Sequence, residues 1–139
     1  MADLLSLIKL RKHTVEEKQK ILSTLYREIE NLQNKRKEME DQLAREKELA
    51  TTNNGAGAFY GLYAENMRKK IARMDDAIRK VNARIDLAQE EVRAAFAEQK
   101  KIEIIQRTRE EEEEKALADK ESQVMDDMAI EGFRRKKDE

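Results

Sequence analysis

Two runs of apolar residues at alternating three- and four-residue spacing, split by one glycine- and asparagine-rich break, constrain this chain more than any other feature. With Ile8 as position a of a heptad, Ile8, Val15, Leu22, Ile29 and Leu43 fall on a, and Leu4, Leu25, Leu32 and Met39 fall on d. The register is unbroken from Leu4 to Leu43. Four seam positions carry charge instead: Arg11, Lys18, Arg36 and Glu46. Their long stems can cover the seam while the heads reach water. Polar groups at such positions can also set register, at some cost in stability.

The pattern stops at Ala50-Thr51-Thr52-Asn53-Asn54-Gly55-Ala56-Gly57, and three of the four glycines lie between 55 and 61. Glycine and asparagine tolerate left-handed backbone and end helices. A second register follows, with Ile71, Ile78, Ile85 and Val92 on a, and Met67, Met74, Val81, Ala88, Ala95 and Ile102 on d. Tyr60 and Ala64 extend it back toward the break. Beyond Ile102 the seam decays, with Gln106, Arg109 and Glu113 at positions that should be apolar.

The fold class this implies is all-α: two long helices in an antiparallel coiled-coil hairpin, forming one domain over residues 1–139. Helix one is expected over about 3–50, a turn over about 51–58 and helix two over about 59–133, with 108–139 as an overhang. At 1.5 Å per residue the helices would be roughly 70 and 110 Å long. A short turn folds helix two back on helix one. Residues then face each other when their numbers total about 110, so helix one runs out near residue 107, where the second seam decays.

Composition agrees. Charged residues make up 42% of the chain and aromatics 4%, with no Pro, Trp or Cys, so a broad core cannot be filled but a narrow seam can. The 29 basic and 30 acidic residues nearly cancel, which argues against bulk attraction to nucleic acid or anionic membrane. Without cysteine there is no disulfide or thiolate metal site, which is compatible with the cytosol. No apolar run approaches the roughly 20 residues of a membrane helix, and the N-terminus does not read as a secretory signal.

No catalytic, cofactor-binding or metal site is expected. His13 is the sole histidine and reads as a surface residue. The Gly55–Gly61 stretch lacks the Lys-Ser/Thr ending of a phosphate loop. A hairpin encloses no pocket for a nucleophile set, and its carboxylates lie on solvated faces.

Binding surfaces are the remaining class. Leu5, Leu7 and Leu10 lie off the seam, so the start of helix one is apolar almost all round. Ile104 and Ile105 lie on helix two near the same end and complete a candidate exposed patch opposite the turn. In the overhang, Val124, Met125, Met128, Ala129 and Phe133 recur at helical spacing with no helix-one partner, as a partner-binding helix would. Arg134-Arg135-Lys136-Lys137 follow; they can meet an acidic surface or simply complement a helix C-terminus. Residues 107–139 carry 12 acids against 8 bases, with an unbroken run from Glu110 to Glu114 that reads as a solvated face or as a docking surface for a basic partner.

The opening Leu4-Leu5-Ser6-Leu7-Ile8-Lys9-Leu10-Arg11-Lys12-His13-Thr14-Val15-Glu16-Glu17-Lys18 resembles the start of the FliJ family, coiled-coil components of the bacterial flagellar type III export apparatus. The tail Asp126-Asp127-Met128-Ala129-Ile130-Glu131-Gly132-Phe133-Arg134-Arg135 is similar to the acidic, then apolar, then basic ending common there. The resemblance covers essentially the whole chain. It implies a non-enzymatic cytoplasmic protein of flagellum biogenesis and motility, working at the cytoplasmic face of the inner membrane. It would regulate the hexameric export ATPase as a central-stalk-like rod and link it to the export gate and export chaperones. Arg11, Val15 and Glu16 at one end and Phe133, Arg134 and Arg135 at the other match the family pattern. With the apolar neighbours Leu5, Leu7, Leu10, Ile104, Ile105, Met125 and Met128 they form the expected partner-binding set. The acidic run at 110–114 has no place in that pattern.

Three other readings are distinguishable. A generic coiled-coil tether or dimer would show a solution mass of two chains. A prefoldin-like chaperone hairpin needs β-strands between its helices, and too few residues separate the two registers here. A nucleic-acid binder using Lys9, Arg11, Lys12 and the C-terminal cations would bind with steep salt dependence.

Overall fold

The computed structural model describes residues 4–52 and 57–138. It contains two helices, α1 over Leu5–Thr52 and α2 over Gly57–Asp138, packed against each other as a helical hairpin. There is no strand among the described residues. α1 ends beyond its expected end, and α2 extends past both of its expected ends. Thr51 and Thr52 stay helical, their hydroxyls donating to the carbonyl of Glu48 at 2.7 and 3.2 Å. Gly57 and Gly61 lie inside α2 without the left-handed backbone expected of a helix-ending glycine. The rest of the expected turn, residues 53–56, lies outside the described residues. At the far end α2 continues through the basic tail to Asp138, with Arg135, Lys136 and Lys137 in its last turn, where cations offset the exposed carbonyl dipoles.

The chain packs as two compact units, one of His13–Ala95 and one of Met1–Lys12 with Phe96–Glu139. In the first, Ile29, Val81 and Ile85 form the buried core, flanked by Leu22, Leu25, Leu32 and Ile78. Each of these is a seam position of the sequence register. So are Val15, Ala64, Met67 and Ala88, which are also buried. Small residues face large ones across the seam: Ala88 falls opposite Leu22 and Ala64 opposite Glu46, which lets the two backbones approach. Off-seam positions are mostly exposed, as a narrow two-helix interface requires.

The polar contacts fix the register. In the first unit Lys18 Nζ bonds Glu91 Oε2 at 3.2 Å, and Arg36 Nε bonds Asp75 Oδ1. In the second, the backbone N–H of Leu4 donates to Gln106 Oε1 at 3.2 Å. These pairs total 109, 111 and 110 in residue number, the antiparallel pairing that the two sequence registers imply. Two of the four seam charges, Lys18 and Arg36, thus do more than snorkel. Arg36 also bonds Glu40 Oε1 at 2.7 Å, and the hydrogen bond to Asp75 is the main cause that raises its pKa above the ordinary arginine range. Gln106, which weakens the seam as a residue type, satisfies one of the unpaired N–H groups at the start of α1.

Candidate functional site

In the unit of Met1–Lys12 with Phe96–Glu139, Ile102 and Gln99 are the buried side chains among the described residues. Gln99 occupies a seam position opposite Arg11, so one layer of the zipper is polar. Arg11 is half-buried and its Nε has no hydrogen-bond partner. Gln99 turns instead along its own helix, its Nε2 donating to Glu103 Oε1 at 3.0 Å, while Lys100 Nζ bonds Glu103 Oε2 at 3.0 Å. The Gln99 hydrogen bond, then the Lys100 hydrogen bond, hold the Glu103 carboxyl below the usual glutamate range, with the charges of Lys100 and Lys12 adding to them and desolvation opposing.

A lowered folded-state pKa gives a stability contribution that is present above the ordinary glutamate range and lost as pH falls through the folded value. Glu103→Gln should therefore lower the melting temperature slightly at neutral pH, and the gap to the parent chain should close on acidification. Thermal melts of both chains across the acid range measure this; a gap that persists at low pH would rule out the carboxylate as its source.

The expected binding residues on α1 are distributed by the register. Leu5 and Leu10 are exposed, at 55% and 58%, whereas Leu7 is half-buried. Leu7 takes the same flank of the seam as Ile105, which is 39% exposed. Leu5 takes the other flank, and Leu10 and Ile104 lie on outer faces. Val15 is buried in the seam and Glu16 is exposed beside it. Beyond Gln106 every described residue of α2 is exposed, including Glu110–Glu114, Met125, Met128, Phe133, Arg134 and Arg135. Arg135 Nη2 lies 3.6 Å from Glu131 Oε1 on its own helix, and this exposed pair stabilises by no more than a few tenths of a kcal/mol.

A second apolar surface, missed in the sequence, flanks residues 53–56. Leu49, Phe59 and Leu62 are strongly exposed, and an open groove there is lined by Glu46, Leu49, Ala50, Phe59, Tyr60 and Tyr63. The buried Tyr63 hydroxyl has no hydrogen-bond partner. The signal was present: half of the six Phe and Tyr residues lie at 59, 60 and 63, and Phe59 and Leu62 are off the seam. Among the described residues no helix is long and apolar enough to cross a membrane, and no group of three His, Cys, Asp or Glu side chains is placed to hold a metal ion.

The geometry is thus a seam that holds two helices in one register, with apolar side chains left uncovered beyond it. Neither a curated protein nor a solved structure matches this chain. The family model described as the flagellar FliJ protein matches residues 1–138. The chain accordingly belongs to the flagellar FliJ protein family and is a component of flagellar protein export.

Proposed function

We propose that this chain is a non-enzymatic regulator of the hexameric export ATPase, held as a central-stalk-like rod in the ring and linking it to the export gate and export chaperones at the cytoplasmic face of the inner membrane. The observation that carries this reading is the exposed continuation of α2 past Gln106. It offers Val124, Met125, Met128 and Phe133, and the start of α1 adds the exposed Leu5 and Leu10. Uncovered apolar side chains on a helix held by a neighbouring seam are what a protein groove takes up. One asymmetric helix pair meeting six equivalent subunits contacts them unequally, and unequal contacts can bias successive hydrolysis steps.

The test is ATP hydrolysis by the source organism's export ATPase, titrated with this chain. Stimulation that saturates near one chain per hexamer is the expected result. Absence of both stimulation and binding would remove the ring from the proposal.

A further inference from the structure

One face of α2 over residues 107–138, apolar at Leu117, Val124 and Met128 and charged at Glu110, Glu114, Glu121, Glu131 and Arg135, is covered by no other part of the described chain. Its positions follow a heptad spacing without a break. Leu117, Glu121, Val124 and Met128 form the middle, Glu110 and Glu114 one end, and Glu131 and Arg135 the other. The charge along this stretch is polar in the directional sense: Glu110–Glu114 are all acidic, and Arg134–Lys137 are all basic. Such a pattern is complementary to itself when reversed.

We propose that residues 107–138 pair antiparallel with the same residues of a second copy of this chain, about a two-fold axis between Ser122 and Gln123. In that register Leu117 of one copy packs on Met128 of the other, and Val124 packs on the stem of Glu121. At the ends Glu110 meets Arg135. On one flank Glu113 meets Arg134 and Lys120 meets Asp127. Two-fold symmetry makes each of these contacts twice. Parallel, in-register pairing instead sets the acidic runs against each other and the basic runs against each other, which charge repulsion opposes. The antiparallel register also ends each pairing at residue 107, just beyond Gln106, so α1 is not displaced.

Two symmetry-related layers work against the pair. Glu114 of each copy falls opposite Glu131 of the other, although Glu131 already has Arg135 as a cation on its own helix. With these layers and Glu121 in the seam, the association is reversible and weakens with salt. Self-pairing covers Val124 and Met128, so a chain paired in this way cannot offer that face to another protein. The inference rests on the charge order and spacing of α2 and not on the ring reading, with which such pairing would compete for the same face.

The test uses the full chain. Light scattering after gel filtration should show a two-chain mass at high concentration and low salt, shifting to one chain as salt rises. Glu110→Lys with Glu113→Lys should give single chains, and so should Arg134→Glu with Arg135→Glu. An equimolar mixture of the two variants should regain the two-chain mass, because each reversed end then faces its opposite charge. Helicity of each variant is checked by circular dichroism, and the exposed positions should leave it unchanged.

A two-chain mass alone does not separate this pairing from a parallel coiled coil, so a cross-link fixes the direction. The chain has no native cysteine. Leu117→Cys mixed with Met128→Cys should form an interchain disulfide on oxidation. Leu117→Cys alone should not, since two residues 117 lie roughly 16 Å apart along the axis in the antiparallel register. A one-chain mass at every concentration, failure of the mixture to recover, or ready cross-linking of Leu117→Cys with itself would each overturn the proposal.

Discussion

Val81→Asp should abolish cooperative thermal unfolding near the parent's melting temperature and strip most of the far-ultraviolet helix signal from the chain. Val81 is 3% exposed and packs with Ile29 and Ile85 in a buried cluster of the His13–Ala95 unit. A carboxylate there has no assigned cation: Arg36 is already bonded to Asp75 and Glu40, and Lys18 to Glu91. Placing an unpaired charge in an apolar seam costs several kcal/mol, against a total stability of about 5–15 kcal/mol for a folded domain. Two further variants grade the effect. Ile85→Ala removes buried methyl groups without adding charge and should cost about 2–5 kcal/mol. Leu87→Asp alters a side chain that is 63% exposed on the outer face and should lie within about 0.5 kcal/mol of the parent. A Val81→Asp chain that melts with the parent would mean that the seam is not what holds α1 and α2 together.

The seam was legible because two-helix packing converts sequence spacing directly into burial. Every residue assigned to the first register from Leu4 to Glu46 is buried or half-buried, including the charged Arg11, Lys18, Arg36 and Glu46. What the spacing could not supply was the partner of each polar group. Gln99 sits on the seam but offers its amide to Glu103, one turn along the same helix, and Gln106 reaches the N–H of Leu4, just before α1. Both depend on side-chain reach rather than on period. The helix ends were the other gap. Thr51, Thr52, Gly57 and Gly61 are residue types that favour turns, yet each is helical, because two helices already paired along the seam extend at little cost where nothing opposes them. The uncovered faces were only partly legible. Apolar residues off the seam flagged Leu5 and Leu10, but the same signal at Leu49, Phe59 and Leu62 was hidden beside the glycine-rich break. Membership of an export family was legible in the opening and closing residues; the assignment of each surface to a partner rests on the proposal above.

Under the ring reading proposed above, Leu7→Asp with Leu10→Asp should eliminate stimulation of the export ATPase while leaving the helix content close to that of the parent. Leu10 is 58% exposed, so its replacement removes apolar contact area for a partner rather than packing within the hairpin. Leu7 is half-buried, and Leu10→Asp alone separates a binding defect from any local loosening of α1. Losing Leu10 from such an interface removes roughly 1.5–3 kcal/mol, before the penalty of burying a carboxylate, and Leu7 adds only what the hairpin leaves exposed, so affinity should fall at least about tenfold. The opposite pair, Phe59→Asp with Leu62→Asp, alters the other uncovered apolar surface and should leave ring stimulation intact. The comparison assigns the surface that the ring takes up. If the Leu7 and Leu10 variant stimulates normally and the Phe59 and Leu62 variant does not, the ring holds the chain by the surface beside residues 53–56. The exposed face of α2 beyond Gln106 would then be left to partners other than the ring, because its side chains would not be the ones the ring takes up.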